Sequence, residues 1–366
     1  MKIERVVISG GGTGGHIFPA VAIADEIKKR NPSVEILFVG ANGKMEMEKV
    51  PAAGYKIVGL DIVGFQRKFT FSNFLLPFKI VKSLMNARSI LKEFKPQVVI
   101  GVGGFASGPT LQAATYLNIP TLVQEQNSFP GKTNKILSKK VTKICTAYEG
   151  LDKFFPKDKI IETGNPVRFE MVQIDGKRDE AFQFYNLDSS KKTILIIGGS
   201  LGARTLNESV IPFISELQNQ NIQLLWQCGS YYYDLLKEQI DKIDMHGINM
   251  LKFINRMDLA YALADVVISR AGAISVSELC LIQKPTILVP SPNVAEDHQT
   301  KNAMALVSKN AALLVKDSES KSKLIPTVID LLDNENQQEE LKVAISKLGK
   351  PNATSTIVDE IEKIVK

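Results

Sequence analysis

Three glycine-rich loops carry the residues of this sequence best suited to chemistry. They span Gly10–His16, Gly101–Gly108 and Gly198–Arg204, and each lies between an apolar run and a helical pattern. Glycine lets backbone N–H groups approach an anion closely, and the N-terminus of a helix attracts negative charge. Tight turning alone would explain one such loop, whereas three of them predict a ligand rich in phosphate.

Two nucleotide-binding motifs come close to matching and fail. Gly10, Gly12 and Gly15 fit the GxGxxG pattern, but the next strand pattern ends without the acidic residue that would hold a dinucleotide's ribose. Gly131–Thr133 has the form of a P-loop's end, yet Gln126 stands where the first glycine must be. The sequence therefore argues against NAD and against a P-loop.

A serine hydrolase is the main alternative among enzymes. Residues 198–202 satisfy GxSxG with Ser200 at the centre, and Asp265 and His298 follow in the Ser…Asp…His order. A nucleophile elbow would explain neither of the first two glycine loops. The alternative predicts that a serine-reactive phosphonate labels the protein.

The elements that must position these loops alternate along the chain. Apolar β-branched runs predict strands, and amphipathic stretches such as Ala20–Lys29, Ser83–Phe94 and Thr110–Tyr116 predict helices between them. Nearly continuous apolar strands with intervening helices are typical of parallel sheets covered on both faces. The predicted strands are Arg5–Ser9, Glu35–Val39, Lys56–Leu60, Gln97–Gly101, Pro120–Val123, Lys143–Cys145, Thr193–Ile197, Gln223–Trp226, Asn249–Phe253, Val266–Ile268 and Thr286–Val289.

The chain is long enough for two domains, since it has 366 residues. The alternation pauses between residues 163 and 179 and then restarts, which predicts an α/β domain over residues 1–162 and a second over 163–349. An amphipathic helix, Thr356–Val365, follows a break at Pro351. We expect this last segment, residues 350–366, to pack back onto the first domain.

Charge is distributed unevenly between the halves. The first 162 residues have a net charge of +10 and the remainder −4. This asymmetry suits a polyanionic surface, either membrane or nucleic acid, but a solvated lysine-rich face explains the charge equally well. No aromatic-basic nucleic-acid motif occurs, so we expect no nucleic-acid partner.

Targeting signals and cysteines indicate a cytoplasmic protein. The sequence lacks a signal-peptide core, and no apolar run approaches the roughly 20 residues of a membrane-spanning helix. Cys145, Cys228 and Cys280 form no CxxC pair, which is typical of buried, reduced thiols.

A set of ordered motifs covers nearly the whole chain. The motifs are Gly11–His16 with Pro19–Ala20, Gly103–Pro109, Glu125–Asn127, Gly164–Arg168, Gly198–Arg204, Arg270–Ala273 with Ser275–Glu278, and His298–Ala303. In residues and spacing they resemble the MurG family of N-acetylglucosaminyltransferases. Two positions depart from that family: Gln124 stands where many relatives have histidine, and residues 295–298 replace a commoner Asp-Asn-His run.

The resemblance implies a fold and a reaction. The fold is GT-B, with two Rossmann-like parallel-sheet domains facing across a cleft. The reaction is an inverting transfer of N-acetylglucosamine from UDP-N-acetylglucosamine to undecaprenyl-pyrophosphoryl-N-acetylmuramoyl-pentapeptide (lipid I), giving lipid II for peptidoglycan synthesis. It implies no cofactor and no obligatory active-site metal, and the sequence has no DxD-like pair. It also implies a peripheral position on the cytoplasmic face of the bacterial plasma membrane, with other cell-wall synthesis proteins as candidate partners.

By resemblance, the second domain would hold the donor. Glu278 would accept hydrogen bonds from the ribose, the Ile254 backbone would read the uracil edge, and Ser200 with a helix turn would surround the pyrophosphate. That turn comprises Ala273, Ile274, Ser275, Val276 and Ser277, while Asn127, Arg168 and Gln299 match further donor-binding positions. The residues alone leave other roles open: Ser200 as a helix N-cap, Glu278 as a solvated residue and Arg168 as a linker ion pair.

The first domain would then hold the acceptor. We expect the acceptor pyrophosphate at Thr13, Gly14 and Gly15 and at Gly103, Gly104 and Ser107. His16 ends the first loop and is the predicted catalytic base, because an imidazole titrates near working pH. It could equally bind the acceptor pyrophosphate or cap its helix.

A membrane-facing segment is expected in residues 64–82. Aromatic anchors beside basic residues suit insertion into an anionic headgroup layer. A core helix with a basic edge fits the spacing as well, but the positive first half and a lipid-linked acceptor favour the membrane. The residues concerned are Phe71, Phe74, Phe78, Lys79 and Lys82.

Two further alternatives remain open. One is a related glycosyltransferase with another lipid acceptor, such as diacylglycerol. The other is a UDP-sugar-binding module without catalysis, which would bind the donor but show no transfer.

Overall fold

The computed structural model describes residues 3–62, 76–241 and 243–365, and the chain divides into two compact units. Unit 1 comprises Met1–Arg168 and Lys350–Lys366, and unit 2 comprises Phe169–Gly349. The division falls after Arg168, a few residues beyond the predicted boundary. Residues 163–168, between the predicted and the observed boundary, belong to unit 1. The Thr163 N–H donates to Thr146 O of that unit at 3.0 Å.

Unit 1 is built on parallel strands. They are β1 (Arg5–Ser9), β2 (Glu35–Ala41), β3 (Lys56–Leu60), β4 (Val98–Gly101), β5 (Thr121–Glu125), β6 (Lys143–Thr146) and β7 (Ile160–Glu162). Its helices are α1 (Gly14–Arg30), α2 (Glu46–Ala52), α3 (Leu76–Phe94), α4 (Ser107–Tyr116), α5 (Lys132–Leu137) and, from the C-terminal segment, α16 (Ala353–Ile364). The strand order is β3-β2-β1-β4-β5-β6-β7.

The C-terminal helix α16 completes the core of unit 1. Ile357, Val358 and Ile361 are fully buried in the same cluster as the apolar residues of β1 and α1. At the edge of this contact Arg30 Nη1 donates to Asp359 Oδ1 at 2.6 Å. A second cluster, on the opposite face of the sheet, contains residues of α3, α4 and α5.

Unit 2 repeats the plan. Its strands are β8 (Lys192–Ile197), β9 (Ile222–Gln227), β10 (Ile248–Leu251), β11 (Val266–Ser269), β12 (Thr286–Leu288) and β13 (Leu313–Leu314), paired in the order β10-β9-β8-β11-β12-β13. Its helices are α6 (Phe169–Val172), α7 (Arg178–Tyr185), α8 (Arg204–Val210), α9 (Ile214–Asn219), α10 (Tyr233–Ile240), α11 (Met257–Leu263), α12 (Ala273–Ile282), α13 (His298–Val307), α14 (Ser320–Asp333) and α15 (Glu335–Ser346).

Each sheet has a topological switch point. In unit 1, β1 lies between β2 and β4, and in unit 2, β8 lies between β9 and β11. Ligands of open α/β sheets bind beyond the carboxyl ends of the strands at such points. The loops that follow β1, β4, β8 and β11 are therefore where each unit should hold a ligand, and they contain the predicted glycine motifs.

Candidate functional site

The first two glycine loops meet in unit 1. Gly103 and Gly104 have φ angles of 94° and 87°, in the left-handed region that favours glycine. A Cβ on Gly104 would collide with the backbone of Gly11, and one on Gly103 would lie 2.9 Å from Nε2 of His16. Glycine at these positions therefore permits the loop after β4 to lie against the loop after β1 and against the histidine.

His16 lies in the first turn of α1, where it faces back into its own loop. Its Nδ1 is 3.0 Å from the carbonyl oxygen of Gly11 and 3.4 Å from Thr13 Oγ1. Burial lowers the pKa of His16, and the Gly11 carbonyl and the Glu46 charge partly oppose that effect. A neutral imidazole that donates from Nδ1 leaves a lone pair on Nε2, the form that can accept a proton. Thr13, not His16, is the N-cap residue of α1.

Glu46, which the sequence did not single out, holds the first loop in place by hydrogen bonds. This almost fully buried carboxylate accepts from Gly12 N–H at 2.8 Å and from Ala41 N–H at 3.0 Å. The Gly12 N–H is thus engaged inside the protein. The outward donors of this loop are expected at the start of α1, where Gly14 and Gly15 occupy the first helical turn.

Ser107 is the first residue of α4 and lies beneath the second loop. Its side chain is fully buried, and its hydroxyl has no hydrogen-bond partner among the described residues. Buried hydroxyls normally find a partner.

Asn127 sits on a loop held by another buried carboxylate. Glu125 accepts from the Asn127 N–H at 3.0 Å, from the Gly131 N–H at 3.1 Å and from Asn134 Nδ2 at 2.8 Å. Next to it, Gln124 Nε2 donates to Asn165 Oδ1 at 3.0 Å within a buried amide network. Glu125 begins the Glu125–Asn127 motif, but the sequence did not indicate this structural role.

Arg168 also belongs to unit 1. Its guanidinium lies over the ring of Phe18, 4.8 Å from the ring centroid, which is a cation–π contact. Phe18 is on α1, one turn beyond Gly14. The structure therefore places Asn127 and Arg168 in unit 1, whereas the other predicted donor-binding residues lie in unit 2.

In unit 2 the loops after β8 and β11 line a cavity of about 520 Å³. Ser200 is exposed on the first of these loops, and its carbonyl accepts from the Ser230 N–H at 3.2 Å. The N-cap of α8 is Ala203, so Ser200 is not a capping residue. Gly202 and Gly229 approach so closely that a side chain at either would collide with the other loop.

The hydrolase alternative is wrong. Asp265 Oδ2 accepts from the Thr193 N–H at 2.8 Å, at the start of β8, and Asp265 Oδ1 pairs with Arg178. Ser200 follows the other end of β8, and a strand rises about 3.3 Å per residue, so roughly 15 Å of strand separates the two ends. Ser200 and Asp265 therefore lie at opposite ends of the strands and cannot share a triad.

The first turn of α12 is the other wall of this region. Gly272 is the N-cap, so Ala273, Ile274 and Ser275 carry N–H groups with no acceptor inside the helix. The Val276 side chain is buried, and its N–H donates to Gly272 O at 2.9 Å. Ser277 Oγ bonds back to Ala273 O at 3.1 Å.

Glu278 follows on α12, half-buried, with its Oε2 atom accepting from the hydroxyl of Tyr261 at 2.9 Å. Ile254 is buried, and its N–H donates to Gln227 Oε1 at 2.9 Å. The Ile254 N–H is thus already engaged by a side chain. Neither Tyr261 nor Gln227 was singled out by the sequence.

Gln299 and Arg270 complete this part of unit 2. Gln299 Oε1 accepts from the Ser291 N–H at 2.9 Å, which orients its amide nitrogen as a donor. Arg270 Nη1 pairs with Asp317 Oδ1 at 2.5 Å and donates to Val289 O at 3.0 Å. Arg270 lines the cavity as a cation, a role that the sequence did not assign to it.

Two family models match the chain. The glycosyltransferase family 28 N-terminal domain matches residues 6–146, and the family 28 C-terminal domain matches residues 193–357.

The chain belongs to glycosyltransferase family 28.

Two similar proteins match over nearly their full length. A protein of Flavobacterium psychrophilum is 55% identical over 100% of this chain and 99% of its own. One of Christiangramia forsetii is 53% identical, over 99% and 98%. Both are named UDP-N-acetylglucosamine–N-acetylmuramyl-(pentapeptide) pyrophosphoryl-undecaprenol N-acetylglucosamine transferase. The crystal structure of Acinetobacter baumannii MurG superposes with a TM-score of 0.78 at 30% identity, covering 98% of this chain and 99% of that one.

These findings confirm the family, the enzyme class and the fold class predicted from the sequence. The motifs predicted a glycosyltransferase of the MurG family with two Rossmann-like parallel-sheet domains. The chain has two parallel-sheet units and matches glycosyltransferase family 28. Within the described residues, no three His, Cys, Asp or Glu side chains converge as metal ligands would.

The predicted membrane-facing residues of this family 28 chain are only partly described. Phe71 and Phe74, and the side chains of Phe78 and Lys79, lie outside the described residues. Lys82 is exposed, 4.0 Å from Asp61. No helix in the described ranges is long and apolar enough to cross a membrane.

Beside that segment, unit 1 exposes an apolar surface. Ile80 is 54% and Ile136 is 73% exposed, and both line a largely apolar cavity of about 320 Å³ next to Phe105. Large exposed apolar patches mark interaction sites. We call the surface formed by Ile80, Val81, Met85, Phe105 and Ile136 the apolar patch.

Proposed function

We propose that this chain transfers N-acetylglucosamine from UDP-N-acetylglucosamine to undecaprenyl-pyrophosphoryl-N-acetylmuramoyl-pentapeptide, with inversion at the anomeric carbon. The main support is a full-length match, at 55% identity, to a relative that bears the name of this activity. Glycine loops at the switch points of both sheets suit a reaction in which both substrates carry a pyrophosphate.

Unit 2 is proposed to bind the donor. Glu278 would accept from the ribose hydroxyls. The Ile254 N–H is bonded to Gln227, so the backbone at Ile254 would face the uracil with its carbonyl oxygen. The N–H groups of the first turn of α12, which have no acceptor inside the helix, would hold the pyrophosphate together with Ser200. Gln299, oriented by Ser291, would donate to the sugar, with Asn127 and Arg168 of unit 1 as further donor-binding residues.

Unit 1 is proposed to bind the acceptor. The pyrophosphate would lie over Thr13, Gly14 and Gly15 and over the turn at Gly103 and Gly104. The observation that favours this site is the Ser107 hydroxyl, buried and without a partner among the described residues at the start of α4. A phosphate oxygen there would satisfy it.

The proposed mechanism is a single displacement. The acceptor hydroxyl gives its proton to Nε2 of His16 as its oxygen bonds to the anomeric carbon, and the bond from that carbon to the UDP oxygen breaks. A lowered pKa keeps His16 neutral and able to take the proton, and its bond to Gly11 selects the required tautomer. Negative charge develops on the departing UDP, where helix N–H dipoles stabilise it.

The protein is proposed to work at the cytoplasmic face of the plasma membrane as a peripheral protein. Its first 162 residues carry a net charge of +10, and the apolar patch lies on that half. Cationic charge around exposed apolar side chains suits an anionic lipid surface. Other cell-wall synthesis proteins as partners remain a prediction from the resemblance.

The test is transfer of labelled N-acetylglucosamine from its UDP donor to a lipid I analogue. His16→Ala should lower kcat by about 10²–10⁴-fold, and Glu278→Ala should raise the KM for the donor. His246→Ala is the matched control, because His246 is exposed and precedes β10, at the amino ends of the strands of unit 2, whereas the proposed donor site lies beyond their carboxyl ends. No transfer by the wild type, with UDP still bound, would redirect the acceptor assignment to another lipid such as diacylglycerol.

A further inference from the structure

A hydrogen bond joins the core of unit 2 to its proposed donor site. Tyr261, on α11, is 1% exposed, and its ring packs in the buried cluster that contains Leu195 and Leu279. Its hydroxyl donates to Oε2 of Glu278 at 2.9 Å, and Glu278 is half-buried on α12. The carboxylate assigned to the ribose is therefore tied to a side chain that has no access to solvent.

We propose that Tyr261 is a positioning residue that holds the Glu278 carboxylate in the orientation that accepts hydrogen bonds from the ribose. The inference rests on the proposed function, because it takes Glu278 as the ribose-binding residue. Tyr261 itself would not touch the nucleotide.

The physical argument starts from the two side chains. A glutamate on a helix has three rotatable bonds and loses substantial conformational entropy when its end is fixed. A tyrosine has only two, and here the close-packed core fixes its ring. A hydrogen bond to an ionised carboxylate is stronger than one between neutral groups. The hydrogen bond from the rigid Tyr261 side chain therefore orders the flexible Glu278 side chain before the donor binds.

The bond also leaves the carboxylate able to bind. Each carboxylate oxygen can accept two hydrogen bonds, so accepting from Tyr261 does not exhaust Oε2. Burial and the neighbouring charge of Glu278 hold the pKa of Tyr261 well above its ordinary value. The hydroxyl consequently keeps its proton and remains a donor.

A simpler explanation is that a buried hydroxyl needs an acceptor and Glu278 provides one. The two explanations differ in what Tyr261→Phe should change. Phenylalanine keeps the ring, and the half-exposed carboxylate left behind can be hydrated, so no buried group is left unsatisfied. A purely structural bond would then affect stability slightly and ribose recognition not at all.

The experiment compares binding of UDP, 2′-deoxy-UDP and 3′-deoxy-UDP by calorimetry. The proteins are the wild type, Tyr261→Phe, Glu278→Ala, the double variant and Tyr185→Phe. Tyr185 is a matched control, since it is 5% exposed in the same cluster and its hydroxyl donates to Arg256 O at 2.8 Å. Melting temperatures check that each variant is folded.

The preference is the affinity for UDP divided by the affinity for the deoxy analogue that lacks the hydroxyl bound by Glu278. We expect Tyr261→Phe to reduce this ratio by about five- to tenfold. The KM for UDP-N-acetylglucosamine should rise by a similar factor with kcat little changed, as for lost uniform binding. The double variant should discriminate no worse than Glu278→Ala alone, and Tyr185→Phe should behave as the wild type.

Two results would overturn the inference and are distinguishable. If Glu278→Ala loses the discrimination and Tyr261→Phe keeps it, Tyr261 does not position Glu278, while the donor assignment stands. If Glu278→Ala itself discriminates normally, the ribose assignment in the proposed function fails and the inference fails with it.

Discussion

Nδ1 of His16 lies 3.0 Å from the carbonyl oxygen of Gly11, within the loop that the histidine ends. Since a carbonyl can only accept, a neutral imidazole here carries its proton on Nδ1 and its lone pair on Nε2. The backbone of the glycine loop thus determines which nitrogen of the proposed base can accept a proton. Glu46, bonded to the next residue of the loop, is the nearby charge that acts on the same ring.

Glu46→Gln should shift the pH dependence of transfer. The proposed mechanism needs neutral His16, so kcat/KM should rise with pH through the pKa of His16 and level off above it. Burial lowers this pKa and the Glu46 charge raises it, so removing the charge should move the acid limb to lower pH. Profiles of kcat/KM against pH measure the shift. Glu48→Gln, an exposed neighbour, is the control, and an unchanged or higher acid limb for Glu46→Gln would contradict the assignment.

Gly104→Ala should damage the acceptor site more than backbone strain alone can. Gly104 and Gly54 have φ angles of 87° and 86°, but a Cβ on Gly104 would strike Gly11 whereas one on Gly54 has open space. Gly54→Ala should cost about 1–2 kcal/mol for the left-handed conformation and leave transfer intact. Gly104→Ala should add a clash of about 1–3 kcal/mol and lower transfer at least tenfold. Urea unfolding and steady-state kinetics measure both, and equal behaviour of the two variants would refute the loop contact.

Ser107→Ala should separate binding from stability. Its hydroxyl is buried and makes no hydrogen bond to the described residues, so its removal should not lower the free energy of unfolding and should raise it by about 1 kcal/mol. The KM for the lipid acceptor should nevertheless rise about fivefold, because a phosphate oxygen loses a donor. Ser9→Ala is the counterpart: Ser9 Oγ donates to Val39 O at 2.9 Å, and its loss should cost about 1 kcal/mol. A Ser107→Ala enzyme with an unchanged acceptor KM would remove Ser107 from the site.

Serine at exposed apolar positions of unit 1 should release the protein from membranes. Replacing Ile80 and Ile136, which are 54% and 73% exposed, should weaken sedimentation with phosphatidylglycerol vesicles while UDP affinity is unchanged. Phe184→Ser is the control, since Phe184 is 56% exposed but belongs to unit 2. Replacing Phe71, Phe74 and Phe78 with serine should have the same effect, and undiminished vesicle binding would exclude a membrane role for either set.

The sheets were predictable because their strands are short apolar runs between helical patterns. Each predicted strand exists within a few residues of its expected limits, and the motifs sit at the strand ends where parallel sheets bind ligands. The sequence missed β7 and β13, because strands of three and two residues are too short to show a recognisable hydrophobic pattern. Helix α1 begins at Gly14, whereas the sequence predicted a start near Ala20. The prediction was late because glycines and Pro19 have low helix propensity, which hides the first turns of the helix, where His16 lies.

The supporting residues of the site were less predictable. Glu46 and Glu48 are indistinguishable in sequence, and only the fold buries one of them beneath a glycine loop. Tyr261 reads as one more core residue of a helix, since nothing local indicates that its hydroxyl reaches a carboxylate seventeen positions later. Loops that bind anions leave a signature in glycine spacing, whereas the groups that orient them depend on tertiary contacts.

The placement of α16 bears on how the polypeptide matures on the ribosome. The first unit has its core filled by Ile357, Val358 and Ile361, which are translated after the whole of the second unit. Nascent chains generally fold domain by domain from the N-terminus. Here the second unit can finish first, while one face of the earlier-synthesised sheet stays only partly covered, by α1, until α16 is translated. A nonsense mutation or proteolytic nick near the C-terminus would therefore expose the interior of the N-terminal half, and chaperones or proteases would meet it there.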